Sequence, residues 1–471
     1  MRRASDRPFK EVANRLRVNA WTPSGFLLAG TLDLEEDGPT ISATFQYDPG
    51  YLTAPGAYPL DPINLPLGRT LYATSSQFVT LGAIFDAAPD AWGRRVVAAQ
   101  IPPTSTDGIF RSAFLRGADG IGSLVLTPES LSAPTDLDNI VSLSLNERPT
   151  LTQIERAARA AADFEDGQDL TDEMRHMLGG SWTIGGARPK AILRDDRRGA
   201  APGSSLIAKF NSKRDLVPRN RIEWACMQMA SDMGFRVAKA DLADLGDAGN
   251  STALVLERFD RELVAGRIHR RHYVSAISLA SYEPQSAHLN SRQDQVMISW
   301  GKLLEIASRV SDKPAPARVE MFSRLVLNTA LQNTDDHLKN FGFIKVDGAA
   351  TRYDIAPVFD VSAQAATRHY LHCADLGQVY AMDEVIPMAR HLGIAQGAAE
   401  EIEQRILAVL DQRKHYLDKA GLSASQADKV LGWIESGMGS KYASRAVPAH
   451  AASDTTTEDN DDGEGAPHVD Q

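Results

Sequence analysis

The sequence predicts an α+β protein in two lobes, a β-rich N-terminal region followed by an all-α C-terminal lobe. Three observations carry that expectation. Apolar and polar residues alternate near the start; the stretch from Leu178 to Asp260 reads strand, loop, strand, helix, strand; and from Val296 onward the apolar spacing is helical.

Leu16, Val18 and Ala20, and then Ile41, Ala43, Phe45 and Tyr47, put an apolar side chain at every second position, as half-buried strands require. Glu35-Glu36-Asp37-Gly38-Pro39 reads as the turn between them. After the proline-rich passage 55–66, Ala88-Pro89-Asp90-Ala91-Trp92-Gly93-Arg94-Arg95 leads into a helical run, and the alanine-rich Thr152 to Phe164 is helix-prone. Lys190 to Leu193, Leu206 to Phe210 and Ala253 to Leu256 read as strands, with a helix from Glu223 to Met233 stopped near Gly234. The later helices span Ile298 to Val310, Arg318 to Leu331, Ala398 to Leu417 and Ser425 to Ser436, and no internal repeat is present. The expected domains are a β-rich subdomain at 1–145, a strand-rich lobe at 146–260, a helical lobe at 261–445 and a disordered acidic tail at 446–471.

Composition narrows the function classes. The chain has 471 residues and a net charge of -11, but 446–471 holds seven acids and no Lys or Arg, so the body is only about four charges negative. Such a body has no strong electrostatic reason to grip nucleic acid by itself. Met1-Arg2-Arg3 is followed by charged residues rather than an apolar stretch, no segment approaches 18 consecutive apolar residues, and Cys226 and Cys373 are the only cysteines. The expectation is a cytoplasmic protein without secretory signal, membrane span or disulfide framework.

The chemistry sits in Asn333-Thr334-Asp335-Asp336-His337-Leu338-Lys339-Asn340, followed by Pro357-Val358-Phe359-Asp360. An acid five residues before an amide, then a lone acid closing an apolar run, is the layout of a phosphoryl-transfer site: Asp335 to orient the acceptor hydroxyl, Asn340 and Asp360 as magnesium ligands. Asp336 lacks the spacing and is expected to be a bystander. Gly185-Gly186-Ala187-Arg188-Pro189-Lys190 would let backbone N–H groups approach a phosphate. Lys209, in an apolar strand, needs anionic partners, and ATP phosphates with Glu223 on the next helix would supply them. Glu257-Arg258-Phe259-Asp260 closes a buried strand where an adenine edge would sit between two lobes. Taken singly, these segments also read as a turn, a strand-edge lysine and a polar strand end; their order makes them a nucleotide site and the fold a two-lobed, protein-kinase-like one. His369, His372 and Cys373 lack a second ligand pair for zinc, which favours a structural or substrate-side role. His269-Arg270-Arg271-His272 reads as a solvated loop.

From about Phe26 to Leu417 the chain resembles the HipA-type serine/threonine kinases, toxins of bacterial toxin–antitoxin pairs. The resemblance rests on Phe45-x-Tyr47 with Tyr51-Leu52, Ala88-Pro89-Asp90 with Arg94-Arg95, the Gly185 to Lys190 segment, Glu257-Arg258-Phe259-Asp260-Arg261, the octapeptide from Asn333, and Pro357-Val358-Phe359-Asp360-Val361. It implies ATP and magnesium as cofactors, with Lys209 on the phosphates, Glu257 and Phe259 as the adenine hinge, Asp335 as the base, and Asn340 and Asp360 on the metal. Gly185, Gly186, Ala187, Arg188, Lys190, His337 and Lys339 join the nucleotide-binding set. Autophosphorylation is implied just before the glycines, where Thr183 stands in place of the family's serine and Ser181 lies two residues earlier. The implied partners are a separately encoded helix-turn-helix antitoxin of the HipB kind, with DNA reached only through it, and a protein substrate such as an aminoacyl-tRNA synthetase. Two rivals remain: a catalytically silent nucleotide-binding scaffold stabilising an antitoxin–DNA complex, and a kinase for a small molecule or lipid.

Overall fold

The computed structural model describes residues 15–37, 40–74, 81–88, 91–100, 120–129, 148–178, 188–246, 252–282, 292–348 and 351–443. Alternating burial in β1 (Arg15–Thr22), β2 (Gly25–Asp37) and β3 (Thr40–Tyr47) builds an antiparallel meander. β4 (Leu71–Ala73) lies on one edge and β5 (Leu124–Pro128) pairs with β1, giving the order β4-β3-β2-β1-β5. The sequence reading missed β2, taking its acidic end for a turn; in fact the strand pairs with β3 as far as Asp37 opposite Thr40. Helices α1 (Gly82–Asp86) and α2 (Ala91–Ala98) follow, then α3 (Ile154–Glu165), whose Ala157, Ala160 and Ala161 allow close packing on the next sheet.

That sheet is antiparallel, made of β6 (Lys190–Arg194), β7 (Ser205–Phe210), β8 (Ala240–Asp244) and β9 (Thr252–Glu257) in the order β6-β7-β9-β8. α4 (Arg219–Asp232) crosses it, its first turn fixed because the Asn220 amide donates to the carbonyls of Lys209 and Thr252, each at 2.9 Å. A hairpin of β10 (Arg261–Val264) and β11 (Arg267–Arg270) then leads to the second lobe.

The second lobe is helical, with α5 (Ala276–Ala280), α6 (Trp300–Val310), α7 (Pro314–Ala330), α8 (Gln396–Leu410), α9 (Arg413–Lys419) and α10 (Ala424–Met438) around one large apolar core. Two details differ from the sequence reading. The run from Ala398 to Leu417 breaks after Leu410 into α8 and α9. The lobe also holds a small sheet, in which β12 (Tyr273–Ser275) pairs with β13 (Gly342–Lys345) and β13 with β14 (Tyr353–Ile355). Gly342 is required there, since a Cβ would lie 2.1 Å from the Tyr273 ring. Strands this short are invisible to periodicity.

The N-terminal region is bolted to both lobes. Asp86 accepts from the Ser275 N–H at 2.8 Å and from its hydroxyl at 2.5 Å. Asp260 accepts from the Gly122 N–H at 2.6 Å and pairs with Arg258 and Arg261, which donate to the Gly120 carbonyl. Burial alone would raise the Asp260 pKa, but the two guanidiniums outweigh it and hold the acid below the usual range. The basic tetrapeptide at 269–272 is a correction: Arg270 and His272 are buried, not solvated. His272 bonds through Nδ1 to the Ser123 hydroxyl at 2.8 Å and through Nε2 to the Leu60 carbonyl at 2.8 Å. A wedge of this kind reads as surface basicity in the sequence because its contacts come from 149 and 212 residues away.

Candidate functional site

Between the lobes lies a cavity of about 340 Å³, within the range of small-molecule sites. Its apolar part is made by Ile207, Ala238, Leu256, Phe259 and Phe359, with the two phenylalanine rings 5.4 Å apart. Its polar part holds Lys209, Glu257, His337, Lys339, Asn340 and Asp360. The lobes are joined beside it, where the Ala238 N–H donates to the Val358 carbonyl at 2.9 Å and the Val358 N–H to the Arg236 carbonyl at 2.7 Å.

Lys209 projects from β7, and its Nζ lies 2.7 Å from Glu223 Oε1 on α4 and 2.7 Å from Asp360 Oδ1. Burial alone would lower the lysine's pKa; Asp360 and then Glu223 overcome this and raise it well above the ordinary value, so the ammonium stays charged. Burial also pushes the Glu223 carboxyl up, partly offset by Lys209, while the negative charge of Asp360 adds to the rise. Asp360 moves the other way: burial opposes ionisation, but Lys209 holds its carboxyl down to about 2. Asp360 has φ 58, the left-handed region that Asp and Asn tolerate best. Lys190, opposite Lys209 in the β6–β7 register, is 1% exposed and adds positive charge near Asp360.

Asn340 donates from Nδ2 to the Asp335 carbonyl at 2.7 Å, closing the turn between them. Asp335 is not part of the cavity wall; its side chain, 61% exposed, stands at the mouth, 3.7 Å from His337 Nε2. Although the side chain is exposed, the protein around it removes part of the carboxyl's hydration and raises the pKa; His337 opposes the rise, and Asp360 and Asp336 add to it. Arg188 is gripped bidentately by Asp215 at 2.7 and 2.8 Å and feels both Glu223 and Asp360. Glu257 lies at the outer end, paired with Arg197 and Lys239, each at 3.3 Å. Gly185, Gly186, Ala187, Thr183 and Ser181 lie outside the described residues.

Asp336 corrects the expectation of a bystander. It is fully buried, accepting from the Tyr370 N–H at 2.7 Å, the Leu371 N–H at 3.3 Å and the Tyr380 hydroxyl at 3.4 Å, and paired with His369 at 3.2 Å. His369 stacks on Tyr380 with ring centroids 4.3 Å apart, so the histidine serves to hold the segment carrying Asp335. Sequence reasoning also missed Phe85, Asp86 and Ile121, which reach the cavity from the N-terminal region, and Asp215 behind Arg188. Nothing local signals the first three, because the fold brings them in.

Residues 182–413 match the family model of the HipA-like C-terminal domain. That segment is a HipA-like C-terminal domain. Two curated relatives are named as kinases: "Putative kinase" of Haemophilus influenzae, 22% identical over 184 residues, and "Putative kinase Y4dM" of Sinorhizobium fredii, 24% identical over 303 residues. The first match spans 38% of this chain and about half, 51%, of the Haemophilus protein; the second spans 58% and 69%. A chain from the complex of HipA, HipB and operator DNA of Shewanella oneidensis MR-1 superposes with a TM-score of 0.62 and 18% identity, over 90% of this chain and 96% of that one. The two-lobed HipA fold is therefore shared along nearly the whole length. Lys209, Asn340, Asp360 and the two acids of the octapeptide lie inside the matched residues, while Phe85, Asp86 and Ile121 bring the N-terminal region to the same cavity.

Proposed function

We propose that this chain is an ATP-dependent serine/threonine protein kinase reacting at the mouth of the inter-lobe cavity. The observation that carries the reading is the convergence of Lys209 with Glu223, Asn340 and Asp360 on one cavity, with Asp335 at its entrance. The adenine lies among Ile207, Ala238, Leu256, Phe259 and Phe359, along the strand end at Glu257, and the phosphates run toward Lys209 and Arg188. Asp335 orients the substrate hydroxyl and accepts its proton; the hydroxyl oxygen bonds to the γ-phosphorus as the bond to the β–γ bridging oxygen breaks and ADP leaves. Its raised pKa suits it to proton transfer, and its exposure lets a protein substrate reach it from outside.

The donor set fits magnesium. The Asn340 amide nitrogen is occupied by the Asp335 carbonyl, which leaves Oδ1 as its ligand atom, and Asp360 supplies a carboxylate held ionised by Lys209. Asn340 Oδ1 and the Asp360 carboxylate are hard oxygen donors of the kind magnesium takes, and they would hold the ion beside the nucleotide phosphates. When bound, the ion neutralises charge on the β- and γ-phosphate oxygens.

The HipA likeness supports a growth-inhibiting toxin, restrained by a HipB-like helix-turn-helix partner that alone contacts operator DNA, with a cellular protein such as a translation component as substrate. Incubation of the full chain with γ-labelled ATP, magnesium and a translation-competent bacterial extract tests this reading. Label on serine or threonine of a protein supports it. Label confined to a metabolite or lipid, or nucleotide bound with no transfer at all, overturns it, the latter in favour of a scaffold.

A further inference from the structure

A second cavity, of about 210 Å³, opens beside the catalytic segment. Its walls are Ile277, Tyr282, Ile298, Leu338 and Tyr370, and it shares His337 and Lys339 with the larger cavity. From this we infer that it is the subsite for one large apolar side chain of the protein substrate, one or two residues from the phosphorylated hydroxyl. The inference rests on the kinase reading above and names what that site selects.

Size decides against a second nucleotide. An apolar cavity of about 150 Å³ admits a benzene ring, so about 210 Å³ holds one leucine, methionine or phenylalanine side chain and little more. Chemistry agrees, since the polar groups of Tyr282 and Tyr370 bond to residues behind the wall. The Tyr282 hydroxyl donates to Asp294 at 2.8 Å; the Tyr370 N–H donates to Asp336 at 2.7 Å; and the Gln378 amide donates to the Tyr370 carbonyl at 2.7 Å. What remains for an occupant is mostly ring and aliphatic surface, with His337 and Lys339 on the side shared with the larger cavity. Position fits as well: His337 lines the cavity and stands 3.7 Å from Asp335, and an extended chain advances about 3.3–3.6 Å per residue.

Two exposed apolar residues are close in sequence to residues of the pocket or to their hydrogen-bond partners. Val296, two residues before Ile298, is 59% exposed, and Val379, next to the Gln378 that is bonded to Tyr370, is 61% exposed.

The test is a positional-scanning peptide library with a fixed serine or threonine, presented to the full chain with γ-labelled ATP and magnesium. Wild type should select Leu, Met or Phe at one position within two residues of the acceptor. Ile277→Trp, which fills the pocket from a half-buried site, should cut that selection about tenfold or more, and Ile277→Ala should shift it toward larger rings. Retained affinity for ATP, whose cavity Ile277 does not line, shows that each variant is folded. Should Ile277→Trp fail to fold, the direction of the Ile277→Ala shift decides. Phosphorylation with no apolar preference, or a preference unchanged in the folded variants, overturns the subsite and leaves the kinase reading standing. If no protein or peptide is labelled by wild type, both fall together.

Discussion

Replacing Lys209 by methionine removes an ammonium that lies 2.7 Å from each of two carboxylates. Methionine keeps most of the volume, so the effect isolates the charge. Breaking a buried pair by deleting one partner costs about 3–5 kcal/mol. Glu223 is 8% exposed and carries most of that penalty, whereas Asp360 is 35% exposed and water screens its share, so we expect the lower end of the range, about 3 kcal/mol. At about 2.1 cal/mol/K of unfolding entropy per residue, a chain of 471 residues shifts by about 1 °C per kcal/mol, so Tm should fall by roughly 3 °C, measured by thermal unfolding near pH 8. The deficit also has a sign in pH. Without Lys209 the two acids repel each other, and raised carboxyl pKa values contribute stability below the unfolded value that is lost as pH rises through the folded one. Glu223 is already raised, so the variant should lie closer to wild type at pH 5 than at pH 8. A Lys209→Met protein as stable as wild type at pH 8, or a deficit that grows on acidification, would refute the three-way ion pair.

Asp336→Asn should unfold about 3 kcal/mol more easily in urea, because a buried acid with four partners is lost. The neighbouring Asp335→Asn, altering a 61% exposed side chain, should leave the urea midpoint near wild type. His272 is buried and burial lowers its pKa from 6.5 to about 4, so the unfolded chain takes up a proton across that window while the native one does not, and stability should drop by about 3 kcal/mol between pH 7 and 4. His272→Asn should flatten that dependence in urea titrations; an unchanged slope would mean that His272 is not the group responsible. Phosphate near the nucleotide would add about −1.5 to −2 charge, so the chain should inactivate itself with time under ATP. That behaviour should vanish in Ser181→Ala with Thr183→Ala, and its persistence in mass-mapped samples would exclude both sites.

Much of this architecture was legible in the chain. Period-two burial marked β1 and β3, the apolar runs at 190–193, 206–210 and 253–256 marked three strands of the four-stranded sheet, and of the residues picked by spacing Asn340 and Asp360 line one cavity while Asp335 lies outside its wall. An apolar strand carrying Lys209 demanded a negative partner, and Glu223 lies within a hydrogen bond of it. The remainder depends on distance in sequence. β2 hid because its acidic end looks like a turn, and β12 to β14 are too short to show a period. Asp336 and His369 are 33 residues apart, and the wedge of His272 joins segments 149 and 212 residues away, so neither role is written locally. The N-terminal contribution to the cavity, through Phe85, Asp86 and Ile121, exists only once the Asp86–Ser275 and Gly122–Asp260 bonds are made.

On the function proposed above, Asp335 performs transfer while Lys209 holds the phosphates and Asn340 and Asp360 the magnesium beside them. The most direct test of that assignment measures ATP affinity with magnesium and the rate of phosphoryl transfer on one preparation each of wild type and Asp335→Asn. Affinity should stay within about threefold and the transfer rate of the variant should fall by roughly 10²–10⁴-fold, the usual contribution of a positioned base. Transfer preserved to within tenfold, or ATP binding lost together with activity, would contradict the assignment.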